Sequence, residues 1–190
     1  MKSKPYLITS MILGLISLIS AIVLTLEEIK LWQNPNYIPS CSWNPLFSCQ
    51  GPMSSWQAHV FVLPNPIIGI AGFTLLIFMG LIGLFVKMPK WFWTLHLIGI
   101  SAATVFLGWL VTQTLYDIQA LCIYCMIVWA CMFPLFWLTI SRYIMDYYPD
   151  SKLAAINRIK VPLIIATYGA VMLMIYAQFQ DFFNFLIGVR

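Results

Sequence analysis

Five long apolar runs, beginning near Pro5, Pro66, Trp91, Leu121 and Val161, leave this chain few ways to fold. A helix needs about 20 apolar residues to cross roughly 30 Å of hydrocarbon, and each run is long enough. Hydrocarbon offers a backbone no water to bond to, so each run must close its hydrogen bonds internally as a helix. The predicted class is therefore an all-α integral membrane protein with five spans. Composition agrees: 62% of residues are hydrophobic, 8% are charged and the mean hydropathy is +0.89, which argues against a water-soluble globular domain.

The first run, 7–26, exceeds the roughly 7–15 residues of a secretory signal core and lacks an A-x-A cleavage pattern, so it reads as a retained helix. In a five-span topology Lys2, Lys4, Lys87, Lys90, Arg142, Lys152, Arg158 and Lys160 share one side. Only Lys30 and Arg190 fall on the other, with Glu27, Glu28, Asp117 and Asp181. Basic loops stay in the cytoplasm, which places the N-terminus inside and the C-terminus outside. The net charge of +4 follows from this topology and gives no reason to expect a nucleic acid partner; lipid is the expected surrounding.

The loop 27–65 and the turn 116–120 then lie together on the extracytoplasmic side. The tight connections 87–90 and 116–120 make antiparallel neighbours of spans two, three and four. Gly69, Gly72, Gly80 and Gly83 on span two, with Gly99, Ser101, Ala102 and Ala103 on span three, suit close helix approach. The expected organisation is a four-helix transmembrane bundle over 1–140, a charged cytoplasmic connection at 141–160, and a peripheral fifth transmembrane helix with a short tail at 161–190.

Two cysteine pairs carry the chemistry. Cys122-Ile-Tyr-Cys125 places two sulfurs on one helix face within disulfide reach. Asp117 is a plausible N-cap for that helix, whose positive end would favour thiolate. Cys41 and Cys49, with seven residues between them in a turn-rich loop, do not match the short C-x₂₋₄-C spacing of a zinc site, so no metal is expected. They suit a hinged shuttle, the first meeting an outside partner and the second reaching the membrane-embedded pair. The oxidising side of a membrane is where such thiols cycle.

Other residues divide between functional and packing readings. Cys131 points away from Cys122 and Cys125 at about 100° per residue and reads as packing. Trp129, one turn past Cys125, either stacks on a flat ligand or packs against helix or lipid. Asn65 before Pro66 can cap the second span. Residues 53–63 fit a short helix lying on the membrane as a lid, with Ser54, Ser55, Gln57 and His59 facing water. His59 reads as a solvated histidine, with proton relay as the alternative; His96 reads as interfacial or bonded to a neighbouring helix.

The order of a loop with C-x₇-C (Cys41, Cys49), then Asn65-Pro66-Ile67-Ile68-Gly69 opening a helix, then Cys122-Ile123-Tyr124-Cys125 heading a later one, resembles the vitamin K epoxide reductase family. The likeness covers roughly 7–140, and the loop from Cys41 to Cys49 with Ser54-Ser55-Trp56-Gln57 looks like the bacterial branch. The resemblance implies a four-helix bundle around a quinone, with Cys122 and Cys125 as the active-site pair and Cys125 facing the quinone. It further implies that Cys122 exchanges with Cys49, that Cys41 takes electrons from a thioredoxin-like protein, and that Asn65 bonds a quinone carbonyl. Trp129 stands where animal members carry tyrosine, so a hydroxyl donor is missing there. No fused thioredoxin domain follows the fifth span, so a separate DsbA-like partner is expected.

The predicted activity is that of a quinone-dependent thiol–disulfide oxidoreductase in a bacterial inner membrane, reoxidising such a partner and passing electrons to ubiquinone or menaquinone. A vitamin K epoxide or quinone reductase of an ER membrane is the alternative, though the C-terminal Leu-Ile-Gly-Val-Arg is no ER retention signal. A transporter or scaffold subunit is a second alternative, weakened by the lack of intramembrane charges marking an ion path.

Overall fold

The computed structural model describes residues 4–34, 36–44 and 46–180. Among them no strand forms, and five helices are long and apolar enough to cross a membrane. These are α1 (Lys4–Gln33), α3 (Asn65–Phe85), α4 (Lys90–Gln113), α5 (Ile123–Tyr147) and α6 (Ile156–Gln178); α2 (Gln50–Ser54) is a single turn in the loop before α3. The chain is a multi-pass helical membrane protein. Lys2, Asp181 and Arg190, which enter the topology argument, lie outside the described residues.

The helices overrun several expected bounds. α1 carries on past 26 to Gln33, because Glu27 and Glu28 find partners in the loop above instead of ending the helix. α5 reaches Tyr147 and α6 starts at Ile156, which shortens the non-helical part of 141–160 to 148–155, itself closed by a 3-10 turn at Lys152–Ala155.

Lys4, Lys87, Lys90, Lys152, Arg158 and Lys160 gather at one end of the bundle, the basic end. Lys90 reaches Tyr148 there at 3.0 Å and lies 4.5 Å from its ring centre. The cysteine pairs occupy the opposite, thiol end.

Spans two and three form the expected antiparallel hairpin only in part. α3 packs on α1, α1 on α5, and α5 on both α4 and α6, while α3 and α4 touch near their short connection, where a Cβ at Gly83 would come 3.3 Å from Trp93, and make few close backbone contacts elsewhere. Gly80 faces α1: a Cβ there would come within 2.6 Å of Met11 Cγ, so glycine lets these two helices meet. Gly72 and Gly99, by contrast, have nothing within 4 Å of where a Cβ would sit. The space they leave belongs to a cavity. α6 touches the bundle mainly through α5, with Trp137 Nε1 donating to Thr167 at 3.0 Å and Tyr168 bonded to the Ala130 carbonyl, so the fifth span is peripheral.

Candidate functional site

The turn between α4 and α5 decides where the thiols sit. α4 ends in a π turn over Thr114–Ile118 and stops at Gln119, whose φ of 55° is left-handed. Three residues later Cys122, in extended conformation, starts α5, and its own Sγ accepts the Cys125 N–H at 3.4 Å. Cys122 is thus the N-cap expected at Asp117. The π turn keeps Asp117 on α4, where its carboxylate instead accepts from Gln57.

Backbone bonds hold the loop cysteines over this cap. Leu121 pairs with Phe47 in an isolated parallel bridge, its N–H reaching the Leu46 carbonyl at 2.7 Å and its carbonyl taking Ser48 N–H at 3.1 Å. Asn44 Oδ1 closes the turn by accepting from Leu46 N and Phe47 N, and Ser42 Oγ lies 3.2 Å from Ser48 Oγ. The turn-rich loop is thus irregular but tied down. Next to it, Glu27 accepts from Tyr37 Oη at 3.0 Å, Ser40 N at 2.9 Å and Lys30 Nζ at 3.2 Å, fixing the stretch that leads into Cys41.

The four predicted thiols meet in one cluster with Leu24 and Met53. Cys41 and Cys49 form a disulfide, while Cys122 and Cys125 are free. Cys122 Sγ lies 3.2 Å from Cys49 Sγ, a contact in which the thiol is the donor because a disulfide sulfur has no proton. Hydrogen bonding from the Cys125 thiol draws the Cys122 thiol below its usual range, against burial, which pushes the other way. Cys41 is 3% exposed and Cys49 0%, so the disulfide faces inward in this state.

Beneath the thiols a cavity of about 810 Å³ runs between α3 and α4 toward the basic end. Asn65 and Trp129 line it with Cys122 and Cys125, and Phe73, Phe106, Leu107 and Met132 continue the walls. Asn65 does not cap α3: its Nδ2 donates to the Gln57 carbonyl at 2.7 Å, and its buried Oδ1 has no hydrogen bond. One amide N–H and the carbonyl oxygen therefore remain for a ligand. The volume, apolar walls and few polar groups fit a ring with an apolar tail. Trp129 is buried beside this space and does not face lipid.

The lid differs from the expected amphipathic helix. α2 is followed by a break at Ser55 and a 3-10 turn at Trp56–His59, which reverses the faces. Gln57 points inward between Gln113 and Asp117, and His59 Nε2 lies 3.0 Å from Glu28 Oε1 with its ring stacked on Trp32. Trp56 and Phe61 turn outward onto Trp109 and Phe106 of α4. Polar partners below and the membrane interface beside the lid reward this arrangement over the water-facing one.

Cys131 is buried next to Ser17 of α1, away from the cavity. His96 is hydrogen-bonded to Tyr6 at 3.1 Å, with Tyr6 also 2.8 Å from Thr139, so of its two readings the interhelical bond is the one found. Glu27, Glu28 and Gln57 were not singled out from sequence as site residues. A pair of acids at the end of an apolar helix in a chain with so few charges was the available signal.

Residues 8–140 match the Vitamin K epoxide reductase family. No curated protein matches the chain.

Proposed function

The chain belongs to the vitamin K epoxide reductase family and is a membrane oxidoreductase, and on that premise we propose that it carries electrons from an outside dithiol protein to a membrane quinone. The observation that carries this reading is the line of sulfurs from the Cys41–Cys49 disulfide to Cys122, 3.2 Å from Cys49, with Cys125 beside it on the wall of an apolar cavity.

The relay has three exchanges. A reduced thioredoxin-like protein of the DsbA type, on the extracytoplasmic side of a bacterial inner membrane, attacks Cys41 and leaves with a disulfide, reducing Cys41 and Cys49. Cys49 then attacks Cys122 of a Cys122–Cys125 disulfide, re-forming Cys41–Cys49 and releasing two thiols. Finally the Cys122–Cys125 dithiol gives two electrons and two protons to a quinone, ubiquinone or menaquinone, and returns to disulfide. The arrangement described above corresponds to the stage between the second and third exchanges.

Each residue has a task in that sequence. Cys122 is the exchanging thiol, kept reactive by the Cys125 hydrogen bond. Cys125 faces the ring. Trp129 supplies a flat wall and Asn65 a free N–H for a ring oxygen. The apolar slot between α3 and α4 takes the tail and excludes water. The region 1–140 is the redox unit in this reading, with α6 supporting α5 from outside.

The test is anaerobic turnover of the purified protein with a reduced thioredoxin-like donor and a short-chain quinone, following quinol by absorbance. Quinol formation that disappears in Cys125→Ser supports the assignment. Turnover that survives the change refutes it, and reduction of vitamin K epoxide in place of quinone moves the reading to the ER-type alternative.

A further inference from the structure

Among the described residues lining the cavity there is one carboxylate, Glu28. It is 2% exposed and lies one helical turn beyond Leu24, which packs against Cys41, Cys49 and Cys122. Its Oε1 is buried without an in-line hydrogen bond, although His59 Nε2 is 3.0 Å away. A carboxyl group in so dry a place, with His59 as its one close polar contact among the described residues, is costly unless it is used. The His59 side chain is 33% exposed, so from the cavity outward the order is carboxylate, imidazole, water.

Neighbouring ionisable groups are engaged elsewhere. Glu27, next on α1, serves Lys30, Tyr37 and Ser40. Asp117 of the α4 turn is held by Gln57 of the lid. The remaining ionisable lining groups are the thiols Cys122 and Cys125 on the α5 side and, at the basic end, His96 of α4, bonded to Tyr6.

Resting on the quinone reading above, we propose that Glu28 and His59 are the proton relay that serves a quinone oxygen during reoxidation of Cys122 and Cys125. In that step two S–H bonds break, one S–S bond forms, the ring takes the electron pair and each of its two oxygens takes a proton. The oxygens sit on opposite edges of the ring, so thiols at one edge can hand a proton directly to one of them. Asn65 can bond the other oxygen but has no proton to give up, and His96 lies at the far, basic end, so at the thiol end Glu28 is the acid left to protonate it. Glu28 gives up its proton and recovers one through His59 from the water outside the thiol end. The second thiol proton returns to that same water, so the reaction as a whole neither gains nor loses a proton.

The experiment uses the full chain in lipid nanodiscs with dithiothreitol as donor and a short-chain quinone. Glu28→Gln is expected to lower kcat for quinone reduction by about 100-fold or more, the usual weight of a general acid, and to remove one ionisation from its pH profile. Single-turnover reduction of Cys41–Cys49 without quinone should stay within about twofold, because that exchange does not use the relay. His59→Ala should lower kcat less, with added imidazole restoring it, since that position reaches water. Wild-type kcat and pH profile in Glu28→Gln overturn the proposal, as does an equal loss in both half-reactions. If Glu28→Gln does not fold, a His59→Ala defect that imidazole fails to restore, or no defect at all, overturns it. A wild-type protein that reduces no quinone refutes the underlying reading instead.

Discussion

Cys122 Sγ sits 3.2 Å from Cys49 Sγ while Cys49 is bonded to Cys41, so an attacking thiol and a disulfide share one dry pocket in orderly sequence. Two local devices produce this contact. The cap geometry of α5 turns Cys122 toward the loop, and the Leu121–Phe47 bridge fixes the loop over it. α1 backs both from the side, through Leu24 in the thiol cluster and Glu27 beneath the stretch leading into Cys41.

Replacing Cys125 with serine leaves Cys122 without its resolving partner. Attack on Cys49 then releases the Cys41 thiol and yields a Cys49–Cys122 mixed disulfide that no thiol at position 125 can resolve, so only Cys41 can reverse it. Non-reducing peptide mapping should show this species accumulating and quinone reduction falling to background. A Cys125→Ser protein holding only Cys41–Cys49 under donor turnover would place the exchange elsewhere.

The Cys125 hydrogen bond that lowers the Cys122 thiol predicts a pH signature. A group lowered in the folded state is thiolate above its folded value, so exchange is fast there and fades as pH drops through that value. By linkage the stability it contributes is fully present above the unfolded thiol's value and is lost over the same fall. Cys125→Ser keeps a hydroxyl donor and Cys125→Ala does not. The pH profile of mixed-disulfide formation should therefore lie at higher pH in the alanine variant, and coincident profiles would show that Cys125 does not control Cys122.

Five spans, the peripheral place of the last one and the meeting of four thiols were legible because hydropathy and cysteine spacing are local in sequence. The inward turn of Gln57 and His59 was not, since the helical period over 53–63 breaks at Ser55 and their partners, Asp117, Gln113 and Glu28, come from distant helices. Gly72 and Gly99 misled for a related reason. A small residue in a membrane helix signals either close approach or open space, and only the partner helix decides which. The Asp117 cap failed because a π turn cannot be read from Thr-Leu-Tyr-Asp-Ile.

Glu27 should govern how often the loop opens. Cys41 is 3% exposed, so an outside thiol reaches it only after the stretch 37–41 lifts, and Glu27 holds that stretch through Tyr37 and Ser40. Glu27→Ala strands the Ser40 N–H and the Tyr37 hydroxyl, at a cost of about 1–3 kcal/mol. If about 1.4 kcal/mol of this falls on the closed loop, opening becomes about tenfold more frequent. Dithiothreitol should reduce Cys41–Cys49 faster by that factor, with hydrogen exchange rising over 37–43. An unchanged rate would mean that the Ser42, Asn44 and Ser48 bonds set the opening instead.

Gly99→Leu tests whether the space between α3 and α4 is the acceptor site. Nothing lies within 4 Å of a Cβ at Gly99, which lines the cavity, so a side chain there starts from open space, and leucine suits a helix better than glycine by roughly 0.5–1 kcal/mol. Thermal stability should hold or rise. The thiols are untouched, so reduction of Cys41–Cys49 by dithiothreitol should match the wild type. The apolar slot, however, loses room for a ring and its tail, and KM for quinone should rise about tenfold, worth about 1.4 kcal/mol of binding. A long-chain quinone should suffer more than a short-chain one, because its tail occupies more of the slot. Equal and unchanged KM values for both would move the acceptor site out of this cavity, whatever the fate of the thiol relay above it.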